Sequence, residues 1–358
     1  QRAERGQRGQ RGQKGQSGQR GQMGLRAILV LIIIIICLFT PARSAEVHFD
    51  KESIWDVQLN LTDYNMVLQE VNRARPTWLS DTSKCGFIPP QSVILTYSNG
   101  GMFDFVLLQQ KAMQVGGSFD CLREIMVVIC TDAEALRLCR GGGFRHCAEL
   151  RFSMATPRSE YATQAYHYMT YLKHPLARNA LNYMKEIFIF DSDVLVFKNP
   201  FPETREGRAE PTGKPFPTEE FEIKFQRLGG RGPACHGTVN SGQMWFRNTT
   251  GVLAFFDQME GAKAEIKVGM KLEQDIMERL VRNDGLNLTR CVLNPNKFLA
   301  RGFSSRNYDG SKLLAEVVTY HAAGGKRGLH WKTKRMNKIL NDYPVSPKTR
   351  ISLYANLH

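Results

Sequence analysis

The chain has 358 residues, 42% of them hydrophobic and 23% charged, with a net charge of +14. Residues 1–26 hold seven Lys or Arg against the single Glu4, so about +6 sits in that tail, and a second dense run spans Lys326 to Lys338. No zinc-finger spacing, RNP-like stretch or basic heptad accompanies the charge. That argues against a nucleic-acid partner and is compatible with small phosphate-bearing ligands.

The tail, residues 1–24, places Gly at every third position from Gly6 to Gly24 without any Pro. A collagen helix needs abundant Pro, so this basic Gly-Gln-Arg repeat reads as disordered. Met23 at its end is the expected true start of translation. Within residues 25–44, the stretch from Ala27 to Thr40 is unbroken apolar sequence, preceded by Arg26 and followed by Pro41. Its length suits a signal peptide or a short signal anchor. Either reading sends the rest of the chain into the secretory pathway, as a Golgi-lumenal type II membrane protein or a secreted one. Three sequons begin at Asn60, Asn248 and Asn287, and seven cysteines lie beyond the apolar run. Several of these should pair in an oxidising lumen. No CxxC is present, which argues against structural zinc.

Residues 45–84 read as a stem with an entry helix, and one α/β domain is expected over 85–340, with a C-terminal tail at 341–358. Val93 to Tyr97 reads as a strand closed by Ser98-Asn99-Gly100-Gly101. Phe103, Val106, Leu107 and Met113 recur at helical spacing, and Gly116-Gly117 ends that helix. Ile125 to Cys130 is a second strand, with Thr131-Asp132 set to cap a helix from Ala133. This alternation predicts a mostly parallel sheet with helices on both faces. Glu160 to Met184 is helical in pattern, with Pro175 expected to open a second segment. Ile187-Phe188-Ile189-Phe190 runs into Asp191-Ser192-Asp193 and then Val194 to Phe197. Residues 200–233, with six prolines and many charges, predict a long surface excursion. Strand Gln243–Phe246, helices near 252–259 and 272–281, and strand Val317–Tyr320 complete the pattern.

Four large apolar residues before Asp191 put its carboxylate at the carboxyl end of a buried strand, where open α/β sheets gather ligands. Asp191 and Asp193 repel unless a cation neutralises them, and oxygen ligands point to Mn2+ or Mg2+. The same string also suits a haloacid-dehalogenase-type phosphatase, with Asp191 as nucleophile and Asp193 as general acid. No later Asp-Asp or Gly-Asp-x-x-x-Asp string completes that site.

Four blocks in order carry a resemblance: Ile187 to Pro200, Asn240-Ser241-Gly242 before a short aromatic strand, Glu273-Gln274-Asp275, and His321-Ala322-Ala323-Gly324-Gly325-Lys326. Over roughly residues 90–340 the chain resembles the nucleotide-diphospho-sugar transferases, GT-A-type glycosyltransferases abundant in plants and algae. Two departures are the Glu-Gln-Asp reading of the acidic block and the missing Lys-Pro-Trp ending of the last loop.

The resemblance implies a GT-A-like, Rossmann-type single catalytic domain that moves a sugar from a nucleotide-diphosphate donor to a hydroxyl acceptor on a glycan or glycoprotein. It leans towards retention of configuration. It places the nucleotide at Thr96 and Tyr97, with Tyr97 able to stack on the base. Asp132 would reach base or ribose unless it caps its helix. Lys173 stands near the metal motif, and Asn240 and Gly242 shape the acceptor side. Gln274 and Asp275 are the candidate catalytic residues on the margin of their helix. His321 is the third metal ligand beside Asp191 and Asp193, and Gly324, Lys326 and Arg327 clamp the diphosphate. The rival reading is a sugar-nucleotide-binding or lectin-like protein without turnover.

Overall fold

The computed structural model describes residues 59–150, 164–205, 221–227, 238–267, 272–282, 284–286, 288–294, 297–300, 316–323 and 328–344. The chain divides into Gln1–Asp50 and Lys51–His358, and the fold below is that of the second unit. The Gly-Gln-Arg repeat, the apolar run, the sequon at Asn287, and Gly324, Lys326 and Arg327 lie outside the described residues. Among the described residues, no helix is long and apolar enough to cross a membrane.

Seven strands form the main sheet in the order β3-β2-β1-β4-β7-β6-β8. They are β1 (Ser92–Ser98), β2 (Met126–Cys130), β3 (His146–Glu149), β4 (Glu186–Phe190), β6 (Ile223–Arg227), β7 (Val239–Arg247) and β8 (Arg290–Val292). β1, β2, β3 and β4 pair in parallel, as do β6 and β8, while β7 runs antiparallel to both of its neighbours. The sheet is mostly parallel, as predicted. A second sheet of β5 (Val194–Val196), β10 (Thr319–His321) and β9 (Phe298–Ala300) stands in the order β5-β10-β9.

Both faces of the main sheet are covered. On one, α1 (Thr62–Arg73), α4 (Gln164–Ala180), α5 (Thr250–Gly261) and α6 (Glu273–Val281) bury Leu68, Leu172, Phe255 and Ile276 against Val93, Leu95 and Ile187. On the other, α2 (Phe103–Gly116) and α3 (Ala133–Gly141) pack Phe103, Val106 and Ala135 on Ile94, Val128 and Phe188. α2 also contributes Phe105 and Ala112 to a third cluster with Leu195, Tyr320 and Met336 of α7 (Gly328–Asp342). The ends of these helices follow the local chemistry. Asp132 caps α3 by accepting from the Ala135 N–H, and Gly117 closes α2 at φ 73°.

Three expectations are corrected. Pro175 does not open a new segment, because α4 runs through it. The helix loses the bond that an N–H at 175 would make to the Tyr171 carbonyl, and burial of Leu172, Leu176, Ala177 and Ala180 holds it together. Residues 200–233 are not wholly a surface excursion, since Ile223–Arg227 is an interior strand with Phe225 and Gln226 buried. The apolar signal there is the short alternation Phe221, Ile223, Phe225, broken by Glu222 and Lys224; the Lys224 ammonium is buried but satisfied by the Thr204 carbonyl at 2.8 Å. Asn240-Ser241-Gly242 lies within β7 rather than ahead of it.

Disulfides join Cys85 to Cys121 and Cys139 to Cys147, the latter tying α3 to β3. Cys130 is a buried free thiol whose pKa burial pushes up to about 12.

Candidate active site

The buried run Ile187–Phe190 is β4, so Asp191 stands at the carboxyl end of a central strand, with its N–H held by the Gly242 carbonyl at 2.9 Å. The turn that follows is closed by Val194 N–H to Asp191 O at 3.1 Å and delivers Asp193 to the second sheet. There His321 pairs in register with Val194, and the Ala322 N–H donates to the Asp193 carbonyl at 3.0 Å. Two strands distant in sequence thereby bring Asp191, Asp193 and His321 together, with one candidate ligand atom from each within 4.8 Å of the others.

The hydrogen bonds around His321 fix its chemistry. Gln226 donates its Nε2 to the carbonyls of Leu299 at 2.8 Å and Phe298 at 3.4 Å, so its Oε1 faces the His321 Nδ1 at 2.8 Å. A neutral ring must then carry its proton on Nδ1, which leaves the Nε2 lone pair facing Asp193 Oδ1 at 3.3 Å. In that state acceptor faces acceptor in a buried site, an arrangement that either a cation or a proton on Nε2 satisfies. The Gln226 side chain is aimed by a β-bulge, where the β6–β7 register shifts between Phe225 and Gln226.

Two lysines already balance the carboxylates. Lys173 of α4 is fully buried, and its Nζ donates to Asp191 Oδ1 at 2.9 Å and to Ser241 O and Oγ, both at 3.1 Å. Burial pulls its pKa down, but Asp191 and Glu273 outweigh that and hold it above the ordinary lysine value. Lys332 of α7 places its Nζ 2.5 Å from Asp193 Oδ2. Burial raises the Asp193 carboxyl, and the ammonium of Lys332 beside it nevertheless holds it well below the usual carboxylate range.

A family model for the nucleotide-diphospho-sugar transferases matches residues 121–336, well over half of the chain and spanning every residue of this cluster. The chain belongs to that family. Its membership decides between the two readings of the Asp-x-Asp string, against the phosphatase. No curated protein matches the chain. Among solved structures, one described as the galactosyltransferase LgtC in complex with donor and acceptor sugar analogs is 13% identical, with a TM-score of 0.41, covering 71% of this chain and 97% of that one. A glycosyltransferase involved in glycosylating the major capsid of PBCV-1 is 14% identical, with a TM-score of 0.39 and coverage of 70% and 100%. Mouse xyloside xylosyltransferase 1 in its apo form is 14% identical, with a TM-score of 0.36 and coverage of 67% and 99%.

In this transferase the other candidates fall in several places. Tyr97 directs its hydroxyl onto Asp191 Oδ1 at 3.0 Å, and burial together with Asp191 and Glu273 raises its pKa well above the ordinary value. Thr96 lies one residue before, on the opposite face of β1 by strand alternation, fully buried with its Oγ1 unpartnered. Asp132 caps α3 and also accepts from the Gly100 N–H at 3.0 Å. Asn240 Oδ1 accepts from the Gly242 N–H at 2.9 Å, and the space left by the missing Cβ of Gly242 is filled by the His321 ring. Gln274 Oε1 accepts from the Ser241 N–H at 3.4 Å, next to the Lys173 cluster. Asp275 is exposed at the start of α6, where it accepts from the Leu272 N–H at 3.2 Å.

Sequence reasoning missed Glu273, Ser241, Gln226 and Lys332. Glu273 is buried, with Oε1 2.6 Å from His174 Nε2 and Oε2 accepting from Ser241 Oγ at 2.9 Å. Burial raises its carboxyl, but Lys173 and His174 hold it below the ordinary value. One signal was present, because Glu273, Ile276, Met277 and Leu280 share the i, i+3, i+4, i+7 stripe that all four bury.

Proposed function

We propose that this protein transfers a glycosyl group from a nucleotide-diphosphate sugar to a hydroxyl of a glycan or glycoprotein, with Mn2+ or Mg2+ held by Asp191, Asp193 and His321. The observation that carries this reading is the convergence of Asp191, Asp193 and His321 in one cluster, with the His321 Nε2 turned towards Asp193 by the bond of Nδ1 to Gln226. Two carboxylates and an imidazole suit either ion. When bound, the ion would offset charge on the leaving diphosphate.

The chain's own groups do the rest. Lys173 fixes Asp191 against Ser241, and Tyr97 adds a second donor to the same oxygen. Gln274 stands beside Ser241, where a donor sugar ahead of Asp191 would come within reach. Lys326 and Arg327, which follow His321 closely in the sequence, would supply positive charge to the diphosphate. We further propose a secretory-pathway, Golgi-lumenal or secreted location. The apolar segment before residue 41 and the disulfides Cys85–Cys121 and Cys139–Cys147, which suit an oxidising compartment, support it.

Purified protein assayed for donor hydrolysis against a panel of nucleotide sugars tests the reaction. Activity is expected to vanish in chelator, return with Mn2+, and drop by ~10²–10³ in Asp193→Asn. Turnover that persists in excess chelator overturns the metal role. Donor binding without turnover on any acceptor would select the lectin-like alternative.

A further inference from the structure

The carboxylates of the metal cluster are already matched by two ammonium groups of the chain itself. Lys173 has three oxygen acceptors and no exposure to speak of, so it belongs permanently to the floor of the site. Lys332 is different. Among the described residues its hydrogen-bond partner is Asp193, on the oxygen opposite the one facing His321, and its side chain keeps 15% exposure. The helix that carries it is anchored elsewhere. Met336, Ile339 and Leu340 of α7 are buried in the cluster with Leu195 and Tyr320, and Tyr343 just beyond stacks on Phe197 at 4.0 Å. The backbone is therefore held by contacts that do not depend on the bond of Lys332 to Asp193.

We propose that Lys332 is a resident counter-cation of the metal site, occupying Asp193 until a divalent ion displaces it, so that the ion binds weakly alone and tightly only with an accompanying diphosphate. Charge balance gives the reason. Asp191, Asp193 and Glu273 carry three negative charges against the two ammoniums of Lys173 and Lys332, so a divalent ion arriving alone beside both lysines would leave an uncompensated positive charge in a largely buried site. A diphosphate brings the missing negative charge. In its absence Lys332 spares Asp193 the cost of a buried, unpaired carboxylate. This inference rests on the metal site proposed above.

The test is Mn2+ binding, read from loss of the free-ion electron paramagnetic resonance signal, with and without inorganic pyrophosphate as the diphosphate probe. Lys332→Gln keeps a donor for Asp193 and removes the charge, and it should bind Mn2+ alone about tenfold or more tighter than the wild type. Lys332→Arg keeps the charge and should stay near the wild type. The gain should disappear when Asp193→Asn is combined with Lys332→Gln. Pyrophosphate should raise Mn2+ affinity more in the wild type than in Lys332→Gln. Thermal unfolding in chelator checks that the variants fold, and Mn2+ alone should raise the midpoint of Lys332→Gln more than that of the wild type. Equal Mn2+ affinity in wild type and Lys332→Gln, with binding still dependent on Asp193, overturns the role of Lys332 and leaves the metal site standing. Absence of Mn2+ binding in every variant, with pyrophosphate present, overturns the metal site and this inference with it.

Discussion

At Gly242 one missing methyl group decides where His321 sits. A Cβ there would lie 2.1 Å from His321 Cε1, 2.7 Å from Nδ1 and 2.8 Å from Nε2. The residue lies in β7, and its need for glycine is one of space. In an unobstructed strand Gly→Ala would stabilise slightly by restricting the unfolded chain. Here the ring must leave Gln226, so Gly242→Ala should lower stability by about 1–3 kcal/mol and weaken Mn2+ binding together with pyrophosphate. Denaturant melts and a Mn2+ titration check both. An unchanged pair of values would mean that the ring position is not set by this contact.

Helix α2 is joined to the site through its last residue. A Cβ on Gly116 would fall 1.8 Å from the carbonyl oxygen of Phe197 and 2.5 Å from its carbon, and both atoms are backbone. Ser118 grips the same carbonyl through its Oγ at 2.8 Å. Phe197 directly follows β5, and β5 starts one residue after Asp193 and pairs with His321. Gly116→Ala is therefore expected to destabilise by about 3 kcal/mol and to weaken metal binding from outside the cluster. Gly141→Ala at the end of α3 is the matched control, because a Cβ there meets nothing within 4 Å. It should be neutral or stabilising by up to ~1 kcal/mol. Equal melts for the two variants would show that the α2–β5 contact is loose.

Across the whole molecule the buried charges define a pH window. Glu273 and Asp193 have carboxyls held below their ordinary values of 4.5 and 3.8, so their contribution is present above those values and fades as pH falls through the folded ones. Lys173 and Lys332 are held above 10.5, so theirs is complete below that value and is lost as pH rises past the folded ones. In chelator, stability should be broad around neutrality and fall in acid. Glu273→Gln should be less stable at pH 7, because it leaves Lys173 short of a partner, yet show a shallower acid slope. Melting midpoints from pH 3 to 7 test this, and parallel slopes would remove Glu273 from the acid response.

Much of this architecture was readable from local pattern. The apolar run ending at Asp191, the glycine that stops α2, the cap at Asp132 and the alternation of strand and helix are all properties of neighbours in the chain. That is why the mostly parallel sheet and the Asp-x-Asp position could be expected, whereas the pairing of that motif with His321 followed from the resemblance to the family. Other features depend on partners that no window contains. Lys332 reaches Asp193 across 139 residues, Gln226 reaches His321 across 95, and His174 reaches Glu273 across 99. Lys224 looked like surface because burial of its ammonium depends on a carbonyl twenty residues away. Hydrophobic periodicity is written locally and sets the elements. Charge neutralisation in a buried site is set by whichever groups the sheet order brings within a few ångströms, and here only the tertiary structure decided that Lys332 would join Lys173 beside Asp191 and Asp193.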